Sequence, residues 1–332
     1  MSESTKSKVR DFRIDMVQEI VKFDEEKRMV HFVLRPDPRR YEERVIDGTT
    51  YLFDKIDKLM FNKDAFMRHV AESIRDKPIG FQPARIDNTA EYVSSRIPEI
   101  QLELDGKPIE IEFSDKSEEF LRALVGCQSD FVIVSLDIVG STALSTALDE
   151  KSYAKIISVV LYELSRIVPL FHGHVLKYTG DGLIAYFPEP SFTIKHDLGI
   201  DAAIALWSMI YHGIDPLLKA RKLPEIGVRI GMDSGGAPVV VMGSPATKQH
   251  SDIIGRVVNL AAKIQSRTPS AEIWLGDSVA RHLYVAWREV VDSVGVPDNW
   301  RYTDSDGNPY TLHRVALERI GPEWRSRFSP QA

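Results

Sequence analysis

The chain is 332 residues long, which is enough for two domains of ordinary size. Hydrophobic residues make up 43% of it and charged residues 27%, so a packed core can form, while the net charge of −6 argues against a bulk electrostatic attraction to nucleic acid. The single cysteine, Cys127, excludes a disulfide framework and a cysteine-based zinc site within one chain.

The first residues, MSESTKSKVRDF, are polar and lack the apolar core of a signal peptide. No apolar run approaches the ~20 residues that a membrane helix needs. We therefore expect a cytoplasmic protein with no membrane span and no nucleic-acid partner.

Residues 1–126 are expected to form a smaller N-terminal α+β domain of unknown role. The clearest predicted hairpin spans Ile100–Phe113, where apolar and polar residues alternate across Asp105-Gly106. The other predicted elements are a strand over Met29–Leu34, a hairpin over Val45–Phe53 around Asp47-Gly48, a helix over Asn62–Ile74 capped by Asn62, and a helix over Ser117–Val125.

From Phe131 onward, strands alternate with long amphipathic helices. Strands are predicted at Phe131–Leu136, His174–Lys177, Leu183–Phe187, Gly227–Asp233, Pro238–Met242 and Glu272–Leu275, helices at Asp149–Phe171, Ile194–Arg221, Gly255–Arg267 and Ser278–Trp287, and a last hairpin at Trp300–Thr303 and Tyr310–Val315. This order predicts an α+β fold, a ferredoxin-like α/β sandwich over residues 127–317, followed by a tail over 318–332.

Two carboxylates follow apolar strands in this second region. Asp137 ends the strand FVIVSL, and Asp181 lies in the Gly-Asp-Gly turn of a predicted hairpin. Buried carboxylates must be paired or metal-bound, and Mg²⁺ or Mn²⁺ prefers carboxylate and phosphate oxygens. The pair therefore indicates a divalent-metal site. In the plainer interpretation, Asp137 caps the following helix and Asp181 is an ordinary turn residue.

Two further groups have side chains that suit a nucleotide. Gly140, Ser141 and Thr142 begin a predicted helix, where free backbone N–H groups suit phosphate oxygens. Asn259 and Lys263 are four residues apart, after Asp252, and share one helix face. An amide and a cation there can bind a ribose and a phosphoryl group, or they can simply form a solvated face.

Four blocks together resemble the catalytic domain of the class III nucleotidyl cyclases. They are DIVGST from Asp137, KYTGDG from Lys177, RIGMDSG from Arg229 and DIIGRVVNLA from Asp252. The blocks occur in the order and spacing of that family, and the resemblance covers about residues 130–317.

The resemblance implies an enzyme that converts a nucleoside triphosphate into a 3′,5′-cyclic mononucleotide and pyrophosphate, a second messenger for a downstream cyclic-nucleotide receptor. Asp137, Asp181 and the carbonyl of Ile138 would bind two divalent ions, Mn²⁺ or Mg²⁺. Asn259 would orient the ribose, and Lys263 would contact the transition-state phosphate. It also implies a homodimer in which each active site is shared between the subunits.

The resemblance leaves the base open. Lys177 and Asp252 occupy the positions that read adenine in adenylate cyclases, which favours ATP. The chain nevertheless departs from the family: Lys263 replaces an arginine, no arginine follows Ser234-Gly235, and the last hairpin offers Arg301 in place of a lysine for the triphosphate. Soluble bacterial cyclases that make cyclic UMP or CMP in anti-phage defence are similar, so a pyrimidine is the alternative.

An alternative of another class is a catalytically silent cyclase-like domain that senses nucleotides or only dimerises. The presence of both Asp137 and Asp181 argues against it, because a silent domain does not need two carboxylates at strand ends.

Overall fold

The computed structural model of the protein describes residues 13–24, 29–74, 84–109, 115–188, 195–304 and 306–320. The strands, in chain order, are β1 (Met16–Asp24), β2 (Met29–Pro36), β3 (Tyr41–Ile46), β4 (Thr49–Asp54), β5 (Met60–Asn62), β6 (Gln128–Val139), β7 (His174–Tyr178), β8 (Leu183–Pro188), β9 (Gly227–Gly243), β10 (Gln249–Ile253), β11 (Ile273–Gly276), β12 (Val291–Gly295) and β13 (Leu312–Val315).

The α-helices are α1 (Lys63–Ile74), α2 (Thr89–Asp105), α3 (Lys116–Arg122), α4 (Ser141–Ala147), α5 (Glu150–Ile167), α6 (Lys195–Ser208), α7 (Asp215–Ala220), α8 (Arg256–Arg267), α9 (Asp277–His282) and α10 (Val285–Arg288). A 3₁₀ turn over Val168–Phe171 extends α5, and a π-helical turn over Met209–Ile214 joins α6 to α7. Among the helices of the described ranges, none has both the length and the apolarity to cross a membrane.

The chain divides into two compact units. One unit comprises the described residues up to 74 together with 284–289, and the other comprises 84–283 and 290–320 apart from the gaps given above. The predicted domain boundary near residue 126 stays a prediction.

The first unit contains two small antiparallel sheets, β1–β2 and β3–β4–β5. The β3–β4 hairpin turns at Asp47-Gly48, as predicted, and Asn62 caps α1 by accepting a hydrogen bond from the amide of Ala65 at 3.0 Å. Arg40 is fully buried in this unit, where it forms ion pairs with Asp15, Asp54 and Asp57, at 3.1, 2.9 and 2.7 Å. Each buried charge is thereby compensated.

The second unit is organised around one large sheet with the strand order β12-β13-β11-β9-β6-β8-β7, and β10 pairs with the far end of β9. β6 lies between β9 and β8, and for that reason Phe131–Leu136 is continuously apolar apart from Ser135 and is buried throughout. α8 covers the sheet with a stripe of buried side chains, namely Val257, Val258, Leu260, Ala261 and Ile264.

The predicted hairpin over Ile100–Phe113 is wrong in the part that the structure describes. Residues 100–105 form the end of α2, whose N-terminus is capped by Asn88. Val93 and Ile100 are both buried and lie seven residues apart, which is two turns of a helix. The alternating pattern that begins at Ile100 is therefore partly helical in the structure. The Asp105-Gly106 pair ends this helix, with Gly106 at a φ of +122°. Residues 110–113 lie outside the described ranges.

Two other predictions need correction. The strands predicted at Gly227–Asp233 and Pro238–Met242 are one continuous strand, because the backbone of residues 234–237 pairs with β6 although its side chains are small. The last predicted hairpin is right only near its turn, where Thr303 bridges Pro309. β13 instead pairs with β12 and β11.

Candidate active site

Asp137 lies where β6 leaves the interior of the sheet. β8 pairs with β6 only from Phe131 to Leu136, whereas β9 continues alongside it to Val139. The backbone of residues 137–139 therefore has a strand partner on one side only, and the Asp137 side chain keeps 26% of its surface exposed. The sheet presents a carboxylate at an open edge.

Arg229, which the sequence analysis did not single out, binds this carboxylate. It lies opposite Asp137 in the β6–β9 register, and its Nε and Nη2 donate to Oδ2 of Asp137 at 2.9 and 2.7 Å. The sequence does show an arginine at the start of RIGMDSG, but the pairing depends on the register between strands 92 residues apart. The guanidinium thus supplies a partner for the Asp137 carboxylate at the end of an apolar strand.

Asp181 is brought to the same edge by the turn between β7 and β8. The amide of Thr179 donates to the carbonyl of Gly182 at 2.9 Å and closes the turn. Gly182 packs so closely against β6 that a Cβ there would lie 2.3 Å from the Leu136 carbonyl oxygen and 3.3 Å from Cα of Asp137. Only glycine permits this approach, which brings the residue after Asp181 against the backbone of Asp137.

The donor atoms at this edge fit a divalent ion. Carboxylate and backbone oxygens are the ligands that Mg²⁺ and Mn²⁺ prefer. The part of the chain that the structure describes contains no cluster of three or more His, Cys, Asp or Glu side chains that could hold a metal. An ion at Asp137 and Asp181 would therefore need further oxygens, such as substrate phosphates and the carbonyl of Ile138, and it would compete with Arg229 for Asp137.

The helix that follows Asp137 is not capped by this residue. α4 begins directly after Gly140, which has a φ of +92° and makes no side-chain capping bond. Among the described residues, the Asp137 carboxylate accepts its hydrogen bonds from Arg229 and none from an amide of α4, so the capping interpretation is wrong. Ser141 is buried and Thr142 is exposed at the start of α4. A Cβ on Gly140 would lie 2.6 Å from the carbonyl oxygen of Glu225, so the junction is tightly packed.

Lys177 and Asp252 form a second acid–base pair. Nζ of Lys177, on β7, lies 2.5 Å from Oδ2 of Asp252, on β10. The Asp252 side chain is 8% exposed, and its Oδ1 also accepts a hydrogen bond from the amide of Ile253 at 2.8 Å. The fold thus brings together, within one chain, the two residues that the resemblance assigns to the base.

Asn259 and Lys263 are exposed on the outer face of α8, opposite its buried stripe. Arg301 is also exposed, in the segment that precedes the bridge at Thr303. The Arg256 guanidinium donates to the carbonyl of Thr303 and so links the start of α8 to this segment. These side chains are accessible to a ligand or to a second subunit.

Asp233 is a buried carboxylate in β9, at the end of the strand predicted for Gly227–Asp233. Oδ1 accepts hydrogen bonds from the hydroxyls of Ser278 and Tyr310, both at 2.6 Å. Burial raises the pKa of Asp233 to about 6, although both hydrogen bonds act in the opposite direction. The signal that could have found it is the one that found Asp137, an aspartate that directly follows an apolar run in the sequence.

This shift predicts a pH-dependent effect of Asp233→Asn. The folded-state pKa of about 6 lies above the ordinary value of 3.8, so the stabilisation from Asp233 is present below about pH 4 and is lost as the pH rises through 6. Asparagine keeps an acceptor for Ser278 and Tyr310 without the buried charge. Relative to the wild type, the variant should gain about 2 kcal/mol in unfolding free energy between pH 4 and pH 7. Urea unfolding at both pH values measures this gain, with the exposed Asp130→Asn as the control. A gain that does not change with pH would contradict the prediction.

Three comparisons relate the chain to known proteins. The family model for the adenylate and guanylate cyclase catalytic domain matches residues 127–295. A cytidylate cyclase of Staphylococcus aureus is 28% identical over 236 residues, and one of Escherichia coli is 24% identical over 186 residues. These alignments cover 64% and 54% of this chain, but only 54% and 38% of the two relatives. The chain thus spans about half or less of the length of these relatives.

The crystal structure of the adenylyl cyclase CyaB from P. aeruginosa superimposes with a TM-score of 0.51 at 22% identity, covering 57% of this chain and 94% of that one. At this identity the likeness establishes the fold alone, and it confirms the predicted α+β class with a cyclase-type sheet. The family model matches just over half of the 332 residues and includes Asp137, Lys177, Asp181 and Asp252. The chain therefore belongs to the family of adenylate and guanylate cyclase catalytic domains.

Proposed function

We propose that this chain is a nucleotidyl cyclase that converts a nucleoside triphosphate into a 3′,5′-cyclic mononucleotide. In this reaction the ribose 3′-hydroxyl releases its proton to solvent and its oxygen forms a bond to the α-phosphorus, while the bond from the α-phosphorus to the bridging oxygen breaks and pyrophosphate leaves. The observation that carries the proposal is the placement of Asp137 and Asp181 at one open sheet edge inside the matched domain.

In the proposed reaction, Asp137 and Asp181 hold two divalent ions, Mn²⁺ or Mg²⁺, with help from the carbonyl of Ile138. When bound, these ions lower the pKa of the attacking hydroxyl and neutralise charge on the leaving pyrophosphate. The carboxylates fix where that charge is neutralised, so the protein contributes mainly positioning and electrostatics.

Other residues bind the remaining parts of the nucleotide. Asn259 orients the ribose, and Lys263 contacts the reacting phosphate as a point charge rather than a bidentate donor. Gly140, Ser141 and Thr142 lie beside the phosphates, and Arg301 contributes a cation to the triphosphate. The exposure of Asn259, Lys263 and Arg301 supports these roles, because each side chain can be reached by substrate.

For the base, we propose a pyrimidine, with CTP as the first candidate. The support is that the relatives from S. aureus and E. coli are both cytidylate cyclases. A cyclic pyrimidine nucleotide would then act on a downstream receptor, in the manner of anti-phage signalling. ATP is the second candidate, because Lys177 and Asp252 form the acid–base pair that resembles the adenine-reading positions.

We further propose that the enzyme works as a homodimer with shared sites. Asp137 and Asp181 of one subunit would face Lys177, Asp252, Asn259 and Lys263 of the other. Exposed apolar side chains beside the Lys177–Asp252 pair support a subunit contact there, namely Tyr178, Val241, Met242 and Ile254.

The substrate is tested by incubating the purified protein with ATP, GTP, CTP and UTP separately in the presence of Mn²⁺, followed by mass spectrometry of the products. We expect cyclic CMP to form fastest. Cyclic AMP as the main product would contradict the pyrimidine assignment and favour the second candidate. The absence of any cyclic product would contradict the cyclase proposal itself and favour the silent domain.

Shared sites predict complementation between two inactive variants. Asp181→Ala and Asn259→Ala damage opposite halves of a site, so a mixed dimer keeps one intact site. Random mixing should therefore restore about a quarter of the wild-type activity, since half of the dimers are mixed and each has one of two sites intact. Asp137→Ala mixed with Asp181→Ala is the control, because both damage the same half, and it should restore none. If native mass spectrometry detects mixed dimers but activity does not return, shared sites are refuted.

A further inference from the structure

Helix α3 contacts both strands that carry the Lys177–Asp252 pair, although it precedes the residues that the family model matches. We propose that Glu118, on this helix, is a positioning residue for Asp252 and thereby a determinant of base selectivity. The inference rests on the proposed function, in which Asp252 reads the base.

The contact between Glu118 and β10 is direct. Both carboxylate oxygens of Glu118 lie 3.0 Å from the amide nitrogen of Ser251, and Oε1 accepts a hydrogen bond from the Ser251 hydroxyl at 3.1 Å. The Glu118 side chain is 18% exposed and Ser251 is buried. Hydrogen bonds to a carboxylate acceptor are among the stronger ones in proteins.

This contact completes an edge of β10 that no strand covers. In the described part of the sheet, β10 pairs only with β9, where Asp252 lies opposite Val240. The amide of Ser251 bonds to Glu118, so the carboxylate takes the place of a neighbouring strand. Asp252 is the next residue of β10 after Ser251. A change in the position of the Ser251 backbone therefore also moves Asp252.

The same helix also contacts the strand of Lys177. The ring of Phe120 stacks on His174 of β7, with centroids 4.4 Å apart and ring planes 20° apart. The hydroxyl of Tyr186, on β8, donates to the carbonyl of Ser117 at 3.0 Å. Asp115 caps the start of α3 through the amide of Glu118, at 2.8 Å. α3 therefore fixes β7 and β10 relative to each other, which sets the geometry between Lys177 and Asp252.

The experiment compares Glu118→Ala with Glu118→Gln. Alanine removes the acceptor from Ser251, whereas glutamine keeps one acceptor oxygen at the same position. We expect Glu118→Ala to lower kcat/KM for the preferred nucleotide about tenfold, mainly through KM, and to reduce its preference over the other three nucleotides by a similar factor. Glu118→Gln should retain most of the kcat/KM for the preferred nucleotide and most of the preference over the others. The exposed neighbour Glu119→Ala is the matched control and should behave like the wild type.

A role limited to holding the fold would lower the active fraction equally for all nucleotides and leave the preference ratio unchanged. Amide hydrogen exchange in residues 249–253 provides a second measurement that does not depend on activity, and Glu118→Ala should accelerate it. An unchanged preference ratio in an active enzyme, or unchanged exchange in β10, overturns the role of Glu118. A wild-type protein that forms no cyclic product overturns the proposed function instead, and the selectivity role with it.

Discussion

Replacing Asp137 by asparagine is expected to reduce cyclic nucleotide formation by about a thousandfold or more. In the proposed reaction Asp137 holds a divalent ion, and the neutral amide is a poor ligand for such an ion, so charge on the reacting phosphates would no longer be neutralised there. The loss should appear in kcat with Mn²⁺ or Mg²⁺ as the metal, measured by product formation at saturating nucleotide. Binding of Mn²⁺ to the protein, measured by calorimetry or electron paramagnetic resonance, should weaken in parallel.

Unfolding does not account for the expected loss. The pair between Asp137 and Arg229 is partly exposed, with 26% and 38% of the two side chains accessible, so its contribution to stability is about 1 kcal/mol or less. The unfolding free energy of Asp137→Asn should therefore stay close to that of the wild type. Asp130→Asn, an exposed change near the start of the same strand, should retain full activity. Activity of Asp137→Asn near the wild-type level would refute the metal role of this residue.

The parts of the site that could be predicted from the sequence are those that depend on short local sequence patterns. Asp137 follows an apolar run and Asp181 lies in a Gly-Asp-Gly turn, so strand, turn and carboxylate are adjacent in the chain. The hairpin of β7 and β8 and the helix α8 were predicted for the same reason, because periodicity acts over a few residues.

The parts that could not be predicted depend on contacts between distant segments. Arg229 meets Asp137 through a register across 92 residues, and Glu118 meets Ser251 across 133. The strand β10 was missed because its sequence, QHSDI, is mostly polar and pairs with β9 on one edge only. The Asp105-Gly106 pair misled the prediction, since the same two residue types can turn a hairpin or end a helix.

A second large effect is expected from Gly231→Ala, which tests how α8 is held against the sheet. Gly231 lies in β9, opposite Ser135 of β6 and Trp274 of β11. A Cβ at this position would lie 2.1 Å from the amide nitrogen of Gln265 and 2.6 Å from the carbonyl oxygen of Ala261, both in the backbone of α8. Because backbone atoms cannot rotate away as a flexible side chain can, the helix must move. We expect a loss of about 3 kcal/mol in unfolding free energy, measured by urea unfolding.

Gly235→Ala, four residues further along the same strand, is the matched control for this substitution. The nearest atom to a Cβ there is Cβ of Val257 at 4.0 Å, so the methyl group fits and stability should change by less than about 0.5 kcal/mol. α8 carries Asn259 and Lys263, and a displacement of about 1 Å can reduce turnover about a hundredfold. Gly231→Ala should therefore lose activity even at temperatures where it stays folded. Equal unfolding free energies of the two variants would show that α8 can move away from β9 without loss of stability. The close contact between α8 and β9 would then not be what positions Asn259 and Lys263.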